Sequence, residues 1–270
     1  MRIETLGDGE PDFAVLGGVH GDEPCGANAI QRVLAAEPTV EKPVAFVVAN
    51  EEAAAAGKRY LEEDLNRAFP GKADGQTHES RLAARITREL GHCTTLSMHS
   101  TQSYEGTFAL INDASEELQR ILTHLSVDAA VDVGRHSAGR LFEGVPNTIE
   151  VECGYQGSAQ ATENAVDLVW EFLSATGIVP GDSQPHREIP LFRLERQIPK
   201  SEASSYDVYA SNFEQVTAGE PYAAAGDQDV VAEESFYPVL MSPYGYESVF
   251  GYTAERLGTV GASGPGNEAI

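Results

Sequence analysis

The chain has 270 residues, enough for one large domain or for one with a small companion. Its 18 basic and 42 acidic residues give a net charge of −24, which disfavours binding to nucleic acid or anionic membrane. The acids are spread along the chain and only four basic residues are lysines (Lys42, Lys58, Lys72, Lys200), a composition suited to molar salt, where a Debye length of about 3 Å screens self-repulsion. The three cysteines, Cys25, Cys93 and Cys153, are odd in number and lack CxxC spacing, so neither a disulfide framework nor a thiolate metal site is expected and a reducing cytoplasm fits. The start Met1-Arg-Ile-Glu lacks the apolar run of a signal peptide, and no stretch reaches the roughly 18 apolar residues of a membrane span, so a soluble intracellular protein is expected.

In chain order the pattern predicts a strand at 13–20, a helix at 24–36, a strand at 43–50, a short helix at 51–57, a helix at 78–91 and a strand at 94–100. A strand at 107–111, a helix at 114–124, a strand at 148–154 and a helix at 158–175 follow; in the last, Ala165, Leu168, Val169, Phe172 and Leu173 share one face. Alternation of this kind indicates an α/β domain over residues 1–178. The segment Gly177-Ile-Val-Pro-Gly-Asp-Ser-Gln-Pro-His186 breaks regular structure and reads as a linker. Beyond it, short β-rich runs at 190–194, 207–210, 237–241 and 248–252 predict a small all-β domain over 187–260, and the small polar residues 261–270 predict a disordered tail.

Chemistry gathers at predicted strand ends. The first strand runs into His20-Gly-Asp-Glu23, another ends at His99, and a third carries Glu152. Ligands in open α/β sheets collect beyond the carboxyl ends of strands, which lifts these residues above a chance H-x-x-E pair. Two imidazoles and a carboxylate form the ligand set of a catalytic zinc, leaving a fourth position for water, and the implied chemistry is hydrolysis. The polar segment Lys58-Arg-Tyr-Leu-Glu-Glu-Asp-Leu-Asn-Arg67 has no clear period and reads as a loop whose arginines and amide suit recognition of a carboxylate or an oxyanion, or pairing with the surrounding acids.

His20-Gly-Asp-Glu23, Arg59-Tyr60 leading to Asp64-Leu-Asn-Arg67, His99 and Glu152-Cys-Gly occur in an order and spacing that resemble the succinylglutamate desuccinylase/aspartoacylase family, relatives of the zinc carboxypeptidases. The resemblance implies a carboxypeptidase-like mixed sheet flanked by helices, with a small C-terminal β domain that narrows access to the site. It makes His20, Glu23 and His99 ligands of one zinc ion and Glu152 the general base and acid. It assigns Arg59 to the scissile carbonyl and oxyanion, and Asn66 with Arg67 to the α-carboxylate of the substrate, while Asp64 orients the loop. Arg140, with Arg135 as the alternative, is similar in place to an arginine for a side-chain carboxylate, and Tyr246 resembles a C-terminal tyrosine that reaches the substrate. Glu150 shares the strand face of Glu152, but Glu152 is preferred because it directly precedes Cys153-Gly154.

The function so implied is zinc-dependent removal of an acyl group from an N-acyl-amino acid, a small-molecule partner. The resemblance also allows a homodimer. Two alternatives stand beside it: a zinc carboxypeptidase acting on short peptides, and a non-catalytic protein that binds a carboxylated metabolite.

Overall fold

The computed structural model describes residues 1–181 and 188–261. The expected linker therefore falls partly outside the described residues, as do His186 and residues 262–270 of the expected tail. Seven strands from the first part of the chain, most of them apolar, enter a ten-stranded mixed sheet: β1 (Arg2–Leu6), β2 (Phe13–Gly17), β3 (Val44–Val48), β4 (Thr94–Thr101), β5 (Phe108–Ile111), β6 (Ala129–Asp132) and β7 (Thr148–Tyr155). Their order is β1-β3-β2-β4-β7-β5-β6, with β3, β2, β4 and β7 parallel, β1 antiparallel at the edge, and β5 antiparallel to β7.

Side chains alternate across this sheet, and both faces are covered. Val15, Phe46, Leu96, Met98, Ile149 and Val151 face helices α1 (Cys25–Ala35) and α5 (Ala159–Ala175), with α4 (Glu116–Leu122) continuing the layer. Ala14, Leu16, Ala45 and Val47 face α3 (His78–Leu90) through Leu82, Ala83, Ile86 and Leu90. Local chemistry sets the helix starts: Ser158 caps α5 by accepting from Ala161 N, Thr77 caps α3 from Ser80 N, and Asn50 caps the short α2 (Glu51–Ala55) from Ala53 N.

The first predicted strand, 13–20, ends at Gly17. The physical reason is the entry of α1: a Cβ on Gly26 would meet the Gly17 Cα at 2.9 Å, so helix and strand end are in backbone contact and the chain turns through residues 18–24. That turn carries His20 and Glu23. The strands β1 and β6 were not predicted: β1 is a largely exposed edge, and β6 has only four residues.

Over the described residues 188–261 the regular elements are all strands, and they divide between two sheets. β8 (Ile189–Pro199) pairs in parallel with β6, and β13 (Val249–Val260) and β12 (Tyr237–Val239) extend the same main sheet beyond it. β9 (Tyr206–Val208), β10 (Pro221–Ala225) and β11 (Gln228–Val231) form the separate small antiparallel sheet. Among the described residues no helix is long and apolar enough to cross a membrane.

Candidate active site

Three parallel strands aim the reactive groups at one place. On β4, Leu96 and Met98 belong to the α1/α5 face, so Ser97 and His99 project to the other. On β7, Ile149, Val151 and Cys153 take the core, leaving Glu150 and Glu152 on the side of His99; in the parallel register His99 stands opposite Glu152 and Ser97 opposite Glu150. The turn after β2 brings in His20 and Glu23.

His20, Glu23 and His99 are all buried, and their ligand atoms lie within 4.8 Å of one another. The two Nδ1 atoms lie 2.8 Å and 3.0 Å from the two Glu23 oxygens, and Ser100 N also donates to Glu23. Burial disfavours the His99 imidazolium, but the hydrogen bond to Glu23 and the charges of Glu23, Glu150 and Glu152 raise its pKa to about 9. His20 shifts upward against the same burial cost through the Glu23 charge and contacts with Asp64 and Glu23. Glu23 is itself buried, yet the two histidines hold its carboxyl well below the usual range. On its outer side His20 Nε2 lies 3.0 Å from both Asp64 Oδ1, which can accept its proton, and Arg59 Nη2, which can only donate to it. An Nε2 proton donated to Asp64 leaves the Nδ1 lone pair facing inward, the arrangement by which metal-binding histidines are oriented. Two imidazole nitrogens and a carboxylate suit zinc.

The loop 58–67 closes one side. Arg59 Nη1 donates to Glu23 Oε1 at 2.8 Å, and its Nε donates to Asp64 Oδ2 at 3.4 Å. Asp64 also accepts from Asn66 N at 2.8 Å, so it orients both the loop and His20. Asn66 is buried and tied twice: Leu141 N donates to its Oδ1 at 2.9 Å, and its Nδ2 donates to Glu150 Oε1 at 3.2 Å. Arg67 donates to the Asn66 carbonyl at 2.6 Å and lines the cavity.

Glu152 is half-buried, and its Oε2, shielded from solvent, has no hydrogen-bond partner. Burial pushes its carboxyl up to about 7, reinforced by the charges of Glu23 and Glu150 and opposed by those of His99 and His20. Arg140 is also buried, with Nη1 unpartnered. Tyr246 enters from the loop before β13, where Lys200 Nζ donates to its carbonyl at 2.5 Å. Burial raises the Tyr246 phenol above its ordinary value.

All nine residues singled out in the sequence (His20, Glu23, Arg59, Asn66, Arg67, His99, Arg140, Glu152 and Tyr246) line this one cavity, which offers about 60 Å³ of free space. Arg135 does not line it; that side chain and His136 both lie against the Glu195 carbonyl. Three residues with less sequence signal also bear on the site. Ser100 lines it, Glu150 lines it and holds Asn66, and Glu79 braces the loop from behind. Glu79 is fully buried and accepts from the backbone N–H groups of Leu61, Glu62 and Glu63 and from Asn50 Nδ2.

The chain is similar to known proteins in sequence and in fold. A probable aspartoacylase of a Nostoc species is 23% identical over 271 residues, covering 86% of this chain and 91% of that protein. The product-bound structure of the ectoine utilization protein EutE (DoeB) from Ruegeria pomeroyi superposes with a TM-score of 0.75 at 21% identity, covering 93% of this chain and 87% of that one. A succinylglutamate desuccinylase/aspartoacylase structure from Rhodobacter sphaeroides gives a TM-score of 0.77 at 17% identity, covering 94% of this chain and 89% of that one. These structural likenesses bear on the fold. Residues 10–170 match the model of the succinylglutamate desuccinylase/aspartoacylase catalytic domain, and the chain belongs to that family.

Proposed function

We propose that the protein is a zinc-dependent deacylase that hydrolyses the amide bond of a small N-acyl-amino acid. The observation that carries this reading is the convergence, in one cavity, of the His20–Glu23–His99 group, the Glu152 carboxylate and three arginines. Family membership supports deacylation, and the donor set fits the metal. Zinc held by His20, Glu23 and His99 would supply Lewis-acid polarisation of the scissile carbonyl and acidify water.

The remaining roles fall to side chains. Glu152, with its carboxyl near 7 and a free Oε2, accepts a proton from the attacking water and passes it to the leaving nitrogen. Arg59 offers its guanidinium N–H groups to the oxygen that gains charge as the flat amide becomes tetrahedral. Asn66 has one amide N–H left after its bond to Glu150, and with Arg67 it receives the α-carboxylate of the amino acid. Arg140 and Tyr246 meet the substrate side chain at the opposite wall. The three free cysteines suit a reducing cytoplasm.

The test is amine release from a panel of N-acetyl- and N-succinyl-amino acids in molar KCl with added zinc. Wild type is expected to turn over at least one member. Glu152→Gln should keep zinc and substrate binding but lose about 10²- to 10⁴-fold in turnover, and His20→Ala should lose the metal. A Glu152→Gln variant retaining most of its rate would overturn the assignment. Silence across the panel with cleavage of tetrapeptides would favour a carboxypeptidase, and binding of a panel member without turnover would favour a metabolite-binding protein.

A further inference from the structure

We infer that Glu150 is a positioning residue that joins the metal group to the carboxylate-binding arm: it orients His99 from behind and holds Asn66 in place. The inference rests on the zinc-deacylase reading and extends it to a residue without a role in the proposed chemistry.

The two proposed histidine ligands are supported unequally. His20 turns Nδ1 inward, and its Nε2 has two polar partners, Asp64 Oδ1 and Arg59 Nη2, each at 3.0 Å. His99 turns Nδ1 inward in the same way, toward Glu23 at 3.0 Å, but its Nε2 is buried without a hydrogen-bond partner. If Nδ1 is to present a lone pair, Nε2 must carry the proton, and that proton needs an acceptor. Among the described residues, Glu150 provides the one carboxylate oxygen recorded within 4.0 Å of this nitrogen. That distance is beyond a direct hydrogen bond but close enough for a small rotation of either side chain to form one. The same oxygen, Glu150 Oε1, accepts from Asn66 Nδ2 at 3.2 Å. Glu150 is almost wholly buried, so water does not compete for it, and its strand fixes it two residues from Glu152 on the same face. A single oxygen atom thus faces a proposed metal ligand and a proposed substrate ligand, so loss of its charge should disturb both.

The experiment compares full-length wild type with Glu150→Gln, Asp64→Asn and Asn66→Ala. Zinc affinity is read by chelator competition with the metal alone, and KM and kcat are read separately at saturating zinc on a turned-over N-acyl-amino acid. Glu150→Gln and Asp64→Asn should each weaken zinc by 10- to 100-fold, the usual cost of removing an outer acid. Glu150→Gln should also raise KM severalfold while kcat at saturating zinc and substrate stays within about threefold of wild type. Asn66→Ala should raise KM and leave zinc affinity within about twofold, a pattern that general loosening of the fold would not produce. Should Glu150→Gln fail to fold, imidazole ¹H–¹⁵N spectra of zinc-loaded wild type read the same contact. A His99 Nε2 proton shifted downfield by a charged acceptor supports the inference, and an unshifted one overturns it. A Glu150→Gln protein that binds zinc as wild type does, in a wild type that turns over substrate, sinks this inference alone. A wild type that binds no zinc sinks the parent reading and this one with it.

Discussion

Glu79 illustrates how one buried side chain can set the shape of a loop. Its carboxylate receives three successive backbone N–H groups from residues 61–63 and the Asn50 amide. In return, Glu62 accepts from His78 N and Glu63 accepts from Thr77 Oγ1 at the start of α3. Burial opposes ionisation of Glu79, but these donors outweigh it and hold the carboxyl below its usual range. A depressed pKa stabilises the fold above the unfolded-state value, and the contribution is lost as pH falls through the lower folded-state value. Glu79→Gln should therefore cost about 1.5–3 kcal/mol at neutral pH, and the difference from wild type should shrink as the solution is acidified below pH 4. Urea unfolding at pH 7 and at pH 3 measures this; an equal difference at both pH values would remove the charge from the argument. Nothing in the sequence marks Glu79, because an acid in the first turn of an amphipathic helix reads as an ordinary helix-dipole partner. The His20–Glu23–His99 cluster was legible from residue types at predicted strand ends, whereas the roles expected of Arg59, Asn66 and Arg67 came with the family resemblance, their loop alone reading equally as acid-paired. Glu150 was legible only as a neighbour of Glu152.

Among elements, the core strands and long helices followed their periodicity closely, and the departures occur where pairing partners decide. The last three residues of the predicted first strand became the turn bearing His20, since only the folded contact between α1 and the end of β2 limits that strand. Short β6 is a strand because β5 and β8 flank it, information that four residues do not contain. The turn after β2 is locked to the loop ahead of Arg59. Gly21 N donates to the Arg59 carbonyl at 3.0 Å, and a Cβ at Gly21 would lie 2.3 Å from Ala54 N and 2.5 Å from the Lys58 carbonyl oxygen. All of these obstacles are backbone. Gly21→Ala should thus push α2 and the loop away from His20, lowering stability by about 1–3 kcal/mol and weakening zinc binding together. Thermal melting with and without zinc tests this, and an unchanged midpoint and affinity would show that the turn relaxes freely.

For the whole molecule, a net charge of −24 makes self-repulsion a general opponent of folding at low ionic strength. Raising KCl from about 0.1 to about 2 M should lift the thermal midpoint by roughly 5 °C or more through screening, and a flat response would remove the salt-adapted reading. The β character of the C-terminal third was legible in its short runs broken by Gly, Pro and Asp. Its division was not, because which strands join which sheet depends on pairing across long sequence separations: β8, β13 and β12 extend the main sheet, while β9 to β11 stand apart. The cavity inherits that division, with His20, Glu23 and His99 coming from early in the chain and Tyr246 from the loop before β13. During synthesis the three proposed ligands leave the ribosome on the order of ten seconds before Tyr246 does. For the first part of that interval β6 has no β8 at its side, and until Tyr246 follows the cavity is incomplete, so the nascent chain carries the proposed metal ligands before the whole of its proposed substrate site exists.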